Sequence, residues 1–309
     1  MLGLPRGIAT VVRTVARLNV AVALAMLAFV LIPSFSQPAA AMNIQQIQSP
    51  GGIKAWLVEE HSVPLISLKY AFDGGNSQDP EGKAGVANFI TAMMDEGAGD
   101  LKSEQYQERM EDLAMRMSYD DTKDSLYGSF ETLSANRDKA AELLKLSVQE
   151  PRFDQDAVER IRQQLIANLI YADKDPGKVA MREWYAQAFA GHPYARPSSG
   201  TVDTVSKITR DDLLAYHKRI FARDNLKVVA VGDITPAELG KLIDDVFGGL
   251  PAKADLFPVA KTEPIPGGSQ RVIDMGVPQS VAVFGLGAMP RMDPDFMTAF
   301  VVNHILGGG

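Results

Sequence analysis

Four histidines, a pair of adjacent acids and no cysteine bound the chemistry open to this chain of 309 residues. His61, His192, His217 and His304 are scattered: the first falls in a predicted turn, the second in Gly191-His192-Pro193-Tyr194, the other two on predicted helices. An imidazole acts as a metal ligand or general base only beside a suitably spaced partner, so these four read as surface or hydrogen-bonded polar residues. Asp95 stands seven residues after Asn88 and four after Thr91. A helix would set these three on one face with Glu96 beside them, an oxygen-rich set of the kind that holds a hard cation. Asp95-Glu96 ahead of Gly97 reads more simply as a solvated helix end. With no cysteine there is no thiolate nucleophile, disulfide framework or Cys-based zinc site. Gly285-Leu286-Gly287 lacks the third glycine and the ribose-binding acid of a dinucleotide loop.

The elements that must position these groups follow from periodicity. Residues 53–58 and 65–72 read as strands joined by a turn at 59–64, a predicted hairpin. A Gly/Asn/Asp/Pro-rich loop at 73–82 leads to a helix from 83 or 84 to about 94, closed by Gly97 and Gly99. Ser103 is placed to cap a second helix, whose apolar positions Tyr106, Met110, Leu113, Ala114 and Met117 keep the 3.6-residue period. A strand at 125–132 precedes helices at 136–149, 154–172 and 179–189. Thr209 with Asp212 makes a capping-box start for a helix to 220. Residues 226–231 read as a buried strand, and 235–247 as a helix packing through Leu239, Leu242, Ile243 and Val246. The expected fold class is α+β, with a first domain over 42–250. Residues 251–268, rich in Pro, Ala, Lys and Gly, read as a linker. Beyond it the pattern of strand, Asp-Pro loop and helix recurs at 281–286, Asp293-Pro294 and 296–306. Residues 269–309 are therefore expected to begin a second, incomplete copy of the first domain.

Residues 1–41 carry an export signature: Arg6, Arg13 and Arg17, an apolar run over 20–32, then Ala39-Ala40-Ala41. That run is shorter than a bilayer requires, so the expectation is a signal peptide cleaved near Ala41, a periplasmic or otherwise exported location, and no stable membrane span afterwards. The formal net charge is −7, and loss of three arginines without any acid makes the remainder more acidic still. Such a balance argues against nucleic acid and anionic membrane surfaces as partners.

Several segments, taken in order, resemble the pitrilysin/insulinase family of inverted-motif zinc peptidases. They are Gly74-Gly75-Asn76 with Glu81-Gly82, Pro151-Arg152-Phe153-Asp154, residues 158–176, Gly191-His192-Pro193-Tyr194 with Gly200-Thr201, and Asn303-His304-Ile305-Leu306-Gly307-Gly308-Gly309. The resemblance implies two-repeat αβ domains, each a sheet packed with long helices. In active members H-x-x-E-H on the first helix holds Zn²⁺ through its two His, its Glu polarises the bound water, and a distal Glu is the third ligand. Mapped onto this chain, the His positions hold Asn88 and Ala92, the base position holds Thr91, and the distal ligand position holds Asn168. Every group that the chemistry needs is missing, so no catalytic residue, metal ligand or cofactor is expected here, and any zinc would sit in a partner subunit.

The resemblance further implies a non-catalytic subunit that pairs with an active sister peptidase bearing H-x-x-E-H. The pair would enclose an unfolded peptide, which adds as a strand to a sheet edge. By resemblance that edge lies near residues 116–122, with Ser118, Tyr119 and Asp120 at its centre. The alternatives are an active zinc metalloendopeptidase using other ligands and a peptide-binding scaffold without a protease partner.

Overall fold

The structure is a computed structural model that describes residues 43–265 and 270–307. The expected signal peptide lies outside the described residues. In chain order the strands are β1 (Gln45–Gln48), β2 (Lys54–Glu59), β3 (Leu65–Asp73), the short β4 (Gly97–Ala98) and β5 (Leu101–Lys102), β6 (Arg116–Asp121), β7 (Ser125–Leu133) and β8 (Leu226–Gly232). The helices are α1 (Val86–Thr91), α2 (Ser103–Asp112), α3 (Arg137–Gln149), α4 (Gln155–Ala172), α5 (Pro176–Ala188), α6 (Val202–Lys207), α7 (Arg210–Ile220), α8 (Pro236–Phe247) and α9 (Phe296–Gly307).

Six strands form one sheet in the order β1-β2-β8-β3-β7-β6. Strict alternation along β3, β7 and β8 buries one face and leaves the other open, as in a sheet covered on a single side. The inner face contributes Leu57, Leu68, Tyr70, Phe72, Leu126, Phe130 and Val228 to a core completed by Leu144 of α3 and Leu239, Ile243 and Phe247 of α8. Tyr70 and Phe72 meet Phe247 edge-on at 5.1 and 6.4 Å between ring centroids. The family-type α+β architecture expected from the resemblance is the one observed.

Four local readings change. The hairpin of β2 and β3 does not form, because β8 lies between them: Ala55 pairs with Val228 in parallel and Leu68 with Ala230 antiparallel. Period-2 patterning identifies a strand but not its neighbour, and residues 59–64 span the width of one intervening strand instead of turning tightly. α2 ends at Asp112, since Ala114 sits at φ 47° and Asn136 Nδ2 donates to the Leu113 carbonyl at 2.8 Å. Met117, in helical phase with Met110, therefore belongs to β6; Lys102 is the N-cap, and Ser103 Oγ turns to Glu96. α1 is shorter than the pattern suggested, with turns replacing helix after Thr91. β8 is buried on one face only, with Val229 and Val231 exposed on the other.

The capping box at Thr209 is found, Thr209 Oγ1 accepting from Asp212 N at 3.3 Å and Asp212 Oδ2 from Thr209 N at 2.7 Å. Residues 251–265 adopt neither helix nor strand, and they run against the first domain: Phe257 N donates to Gln78 Oε1 at 2.6 Å, and Gln78 Nε2 returns to the Phe257 carbonyl at 3.0 Å. Arg219 stacks over the Phe257 ring at 3.6 Å. No strand forms at 281–286, where Phe284 and Leu286 are 90% and 88% exposed. A strand persists only with a ladder partner, and no described strand pairs with this segment. α9 does form, with no buried residue.

Candidate functional site

α1 begins where a buried carboxylate ends the loop before it. Gly74-Gly75-Asn76 opens a short 3₁₀ turn, Gly75–Gln78, with Gly75 at φ 58° and its α-hydrogen side facing the Thr122 carbonyl, where a Cβ would come within 2.2 Å. Only glycine tolerates both conditions. Asp79 follows; its carboxylate accepts from Gly85 N at 2.7 Å and Ala87 N at 2.9 Å, satisfying amides that open α1. Burial pushes the Asp79 carboxyl up to about 7 against the lowering effect of those two bonds. Arg196 secures the same loop by donating to the Asp79 and Ser77 carbonyls at 2.6 and 2.9 Å.

Val86, Ala87, Phe89 and Ile90 bury one side of α1, which leaves Asn88, Thr91 and Ala92 half-buried on the other, beside β6. Asn88 Nδ2 donates to Asp121 Oδ1 at 3.2 Å, and Thr91 Oγ1 donates to the Asn88 carbonyl at 2.8 Å. Ala92 offers no donor atom. α4 packs against α1, with Arg162 over the Phe89 ring at 5.5 Å, yet Asn168 further along α4 is exposed. An amide tied to a carboxylate, a hydroxyl turned back into its own helix, a methyl group and an exposed amide do not fit Zn²⁺, which takes thiolate, imidazole or carboxylate ligands. Among the described residues no three His, Asp or Glu side chains come together as a metal-holding group.

The alternative oxygen cluster is taken apart by its own partners. Asn88 goes to Asp121; Asp95 accepts from Gln107 Nε2 at 3.2 Å and is raised by burial; Glu96 pairs with Arg160 and Ser103. Asp95 and Glu96 are half-buried struts and not a solvated helix end, because α2 and α4 fold back over them. Three of the histidines have settled partners. His61 Nδ1 lies 2.7 Å from Asp233 Oδ1; His192 Nε2 donates to the Ala260 carbonyl at 2.9 Å while its Nδ1 accepts from Tyr194 N. His217 Nε2 donates to the Val148 carbonyl at 2.8 Å, and burial draws its pKa down to about 4. His304 lies on α9, apart from any acidic partner among the described residues.

Ser118, Tyr119 and Asp120 lie on β6, which among the described residues is an edge of the sheet, paired only with β7 through Ser118↔Ser129, Tyr119↔Gly128 and Asp120↔Tyr127. Ser118 and Asp120 are exposed and Tyr119 points inward, its hydroxyl 3.0 Å from Ser147 Oγ. Sequence reasoning passed over the linking roles of Asp121, Asn76 and Ser147. No spacing signal joins Asn88 to Asp121, 33 residues on, because the contact exists only once the helix lies along the strand.

Two family models match the chain: "Insulinase (Peptidase family M16)" over residues 57–202 and "Peptidase M16 inactive domain" over 207–309. A Helicobacter pylori protein described as the non-peptidase homolog YmxG is 27% identical over 81% of this chain and 58% of its own length. The probable mitochondrial-processing peptidase subunit beta of Schizosaccharomyces pombe is 24% identical over 76% of this chain and 52% of its own. The crystal structure of a peptidase M16 inactive domain from Pseudomonas fluorescens superposes with a TM-score of 0.74 at 27% identity, covering 86% of this chain and 65% of that one. The chain thus spans between half and two-thirds of the length of these relatives. Sheet order, helix placement and both family models lead to one conclusion: the chain belongs to the insulinase family, peptidase family M16, with an inactive form of the metal site.

Proposed function

We propose that this protein is a non-catalytic member of the family that pairs with an active, H-x-x-E-H-bearing sister peptidase in the cell envelope, and with it encloses unfolded peptides for processing. One observation carries the reading: Asn88 and Thr91 on α1, with Ala92 at its C-cap, stand directly beside the edge strand β6. The chemistry has gone while the peptide-receiving edge remains. A free strand edge binds an extended peptide through main-chain hydrogen bonds, largely without regard to sequence. The relatives support the same direction, since one is named a non-peptidase homolog and another a subunit of a processing peptidase. The envelope location rests on the export signature of residues 1–41.

The test is affinity capture of the full-length protein from its native envelope, followed by peptidase assays. An H-x-x-E-H peptidase should co-purify, and adding this protein to that sister should raise cleavage of unfolded substrates above the sister's own rate. If no peptidase is captured and mixing leaves activity unchanged, the protein is a scaffold without a protease partner.

A further inference from the structure

Two side-chain links run inward from β6: the first reaches α1 and the 3₁₀ turn before it, the second the turn that follows α1. In the first, Asp121 Oδ1 accepts from Asn88 Nδ2 at 3.2 Å while Oδ2 accepts from Asn76 Nδ2 at 2.8 Å. In the second, Ser147 Oγ donates to the Met94 carbonyl at 2.7 Å. That spends its proton, so Tyr119 is the donor in the 3.0 Å bond between Tyr119 and Ser147 hydroxyls. Tyr119 and Asp121 share the inward face of the strand, and Asp120 between them points out.

An edge strand is bonded on one side only, so its far end frays unless something else holds it. The turn after β6 is held by backbone bonds: Asn76 N to the Thr122 carbonyl and Ser77 N to the Lys123 carbonyl, each 2.9 Å. Asp121, the last residue of β6, is in register with Leu126 of β7, and its carboxylate is held by the two amides. One of these, Asn88, stands where the family's first metal-binding His would be, and its donor is committed to the strand.

We propose that Asn88 is a positioning residue: its amide holds Asp121 and so keeps the carboxy-terminal end of β6 aligned to receive a peptide strand. The inference rests on the peptide-edge reading of β6. Loss of the amide leaves a half-buried carboxylate short of one partner, and the strand end is released toward solvent to recover it.

Hydrogen–deuterium exchange on the full chain tests the link without any ligand. In Asn88→Ala, amides of 116–122 should exchange about fivefold faster or more, with those of β3 unchanged. Asp121→Ala should do the same, and the double variant should add little to either single one, as expected of two ends of one bond. A parallel titration uses fluorescein-labelled, reduced and carboxymethylated α-lactalbumin as the unfolded probe, which should bind Asn88→Ala several-fold more weakly than the unaltered protein. Unchanged exchange at 116–122, equal acceleration in every segment, or additive effects of the two substitutions would overturn the positioning role. If the unaltered protein does not bind the probe, the peptide-edge reading fails, and the exchange result alone decides whether Asn88 holds the strand.

Discussion

Asp79 and His217 are both buried titratable groups held by backbone partners, and their signs are opposite. Native Asp79 keeps its proton up to about pH 7, whereas an unfolded aspartate loses it near 4. The native state therefore binds the extra proton between those values, and stability falls as pH rises through that window. Native His217 stays neutral down to about pH 4, whereas the unfolded imidazole charges near 6.5. There the unfolded state binds the extra proton, and stability falls as pH drops from about 6.5 to about 4. The two contributions offset each other in the intact protein. Urea titrations of Asp79→Asn should lose roughly 1 to 3 kcal/mol of stability between pH 6.5 and 4.5 relative to the intact protein's own change, and His217→Gln should show the reverse trend. Equal pH slopes in both variants would remove this assignment. At the erased metal site the expectation is chemical. After exposure to zinc and dialysis, the protein should retain well under one equivalent, because Asn88, Thr91, Ala92 and Asn168 supply no adequate donor set. Stoichiometric zinc that disappears in Asn88→Ala or Asn168→Ala would place a site there after all.

Between residues and the whole stand the junctions that set α1 against β6. Gly75 carries two constraints, a left-handed φ of 58° and a Cβ position 2.2 Å from the Thr122 carbonyl, whereas Gly82 at φ 74° has open space around it. Gly82→Ala should cost about 1 kcal/mol, from backbone strain alone, and Gly75→Ala clearly more, on the order of 3 kcal/mol, since the turn after β6 must also move. Denaturant midpoints of the two variants measure the difference directly; equal losses would show that the turn gives way freely. At the start of α7, Thr209→Ala removes a cap that satisfies an orphan amide, and about 1 kcal/mol should be lost. These elements were readable to different degrees. The Thr209 box was plain because its signal is local. The helical phase of Met110 and Met117 misled because a left-handed Ala114 intervenes, and nothing in an alanine announces that.

On the scale of the whole molecule, a covered core and an uncovered carboxy-terminal segment lie in one chain. Residues 255–265 are fastened to the first domain by Gln78, Arg219, His192 and the Ala188 carbonyl. From 270 onward almost every described residue is exposed, and α9 presents Met297, Phe300, Ile305 and Leu306 to solvent. A helix apolar on all sides belongs in a core. Limited proteolysis of this 309-residue chain should therefore cut first between 270 and 295, leaving the segment up to Ile265 intact, and the uncut protein should associate through its apolar tail. A monomer equally resistant along its length would contradict this.

The sequence by itself carried the family resemblance, the α+β class and the absence of H-x-x-E-H. These depend on residue identity at fixed spacing: H-x-x-E-H is a local motif, and Ala92 lacks a donor in any fold. Tertiary structure decided which strands are neighbours, since alternation marks a buried face but says nothing of the partner, and β8, more than 150 residues away, enters between β2 and β3. It also decided what became of the erased site. Asn88 finds Asp121 only because α1 lies along β6, and a hydrogen bond between residues so far apart in the chain is fixed by packing, not by spacing.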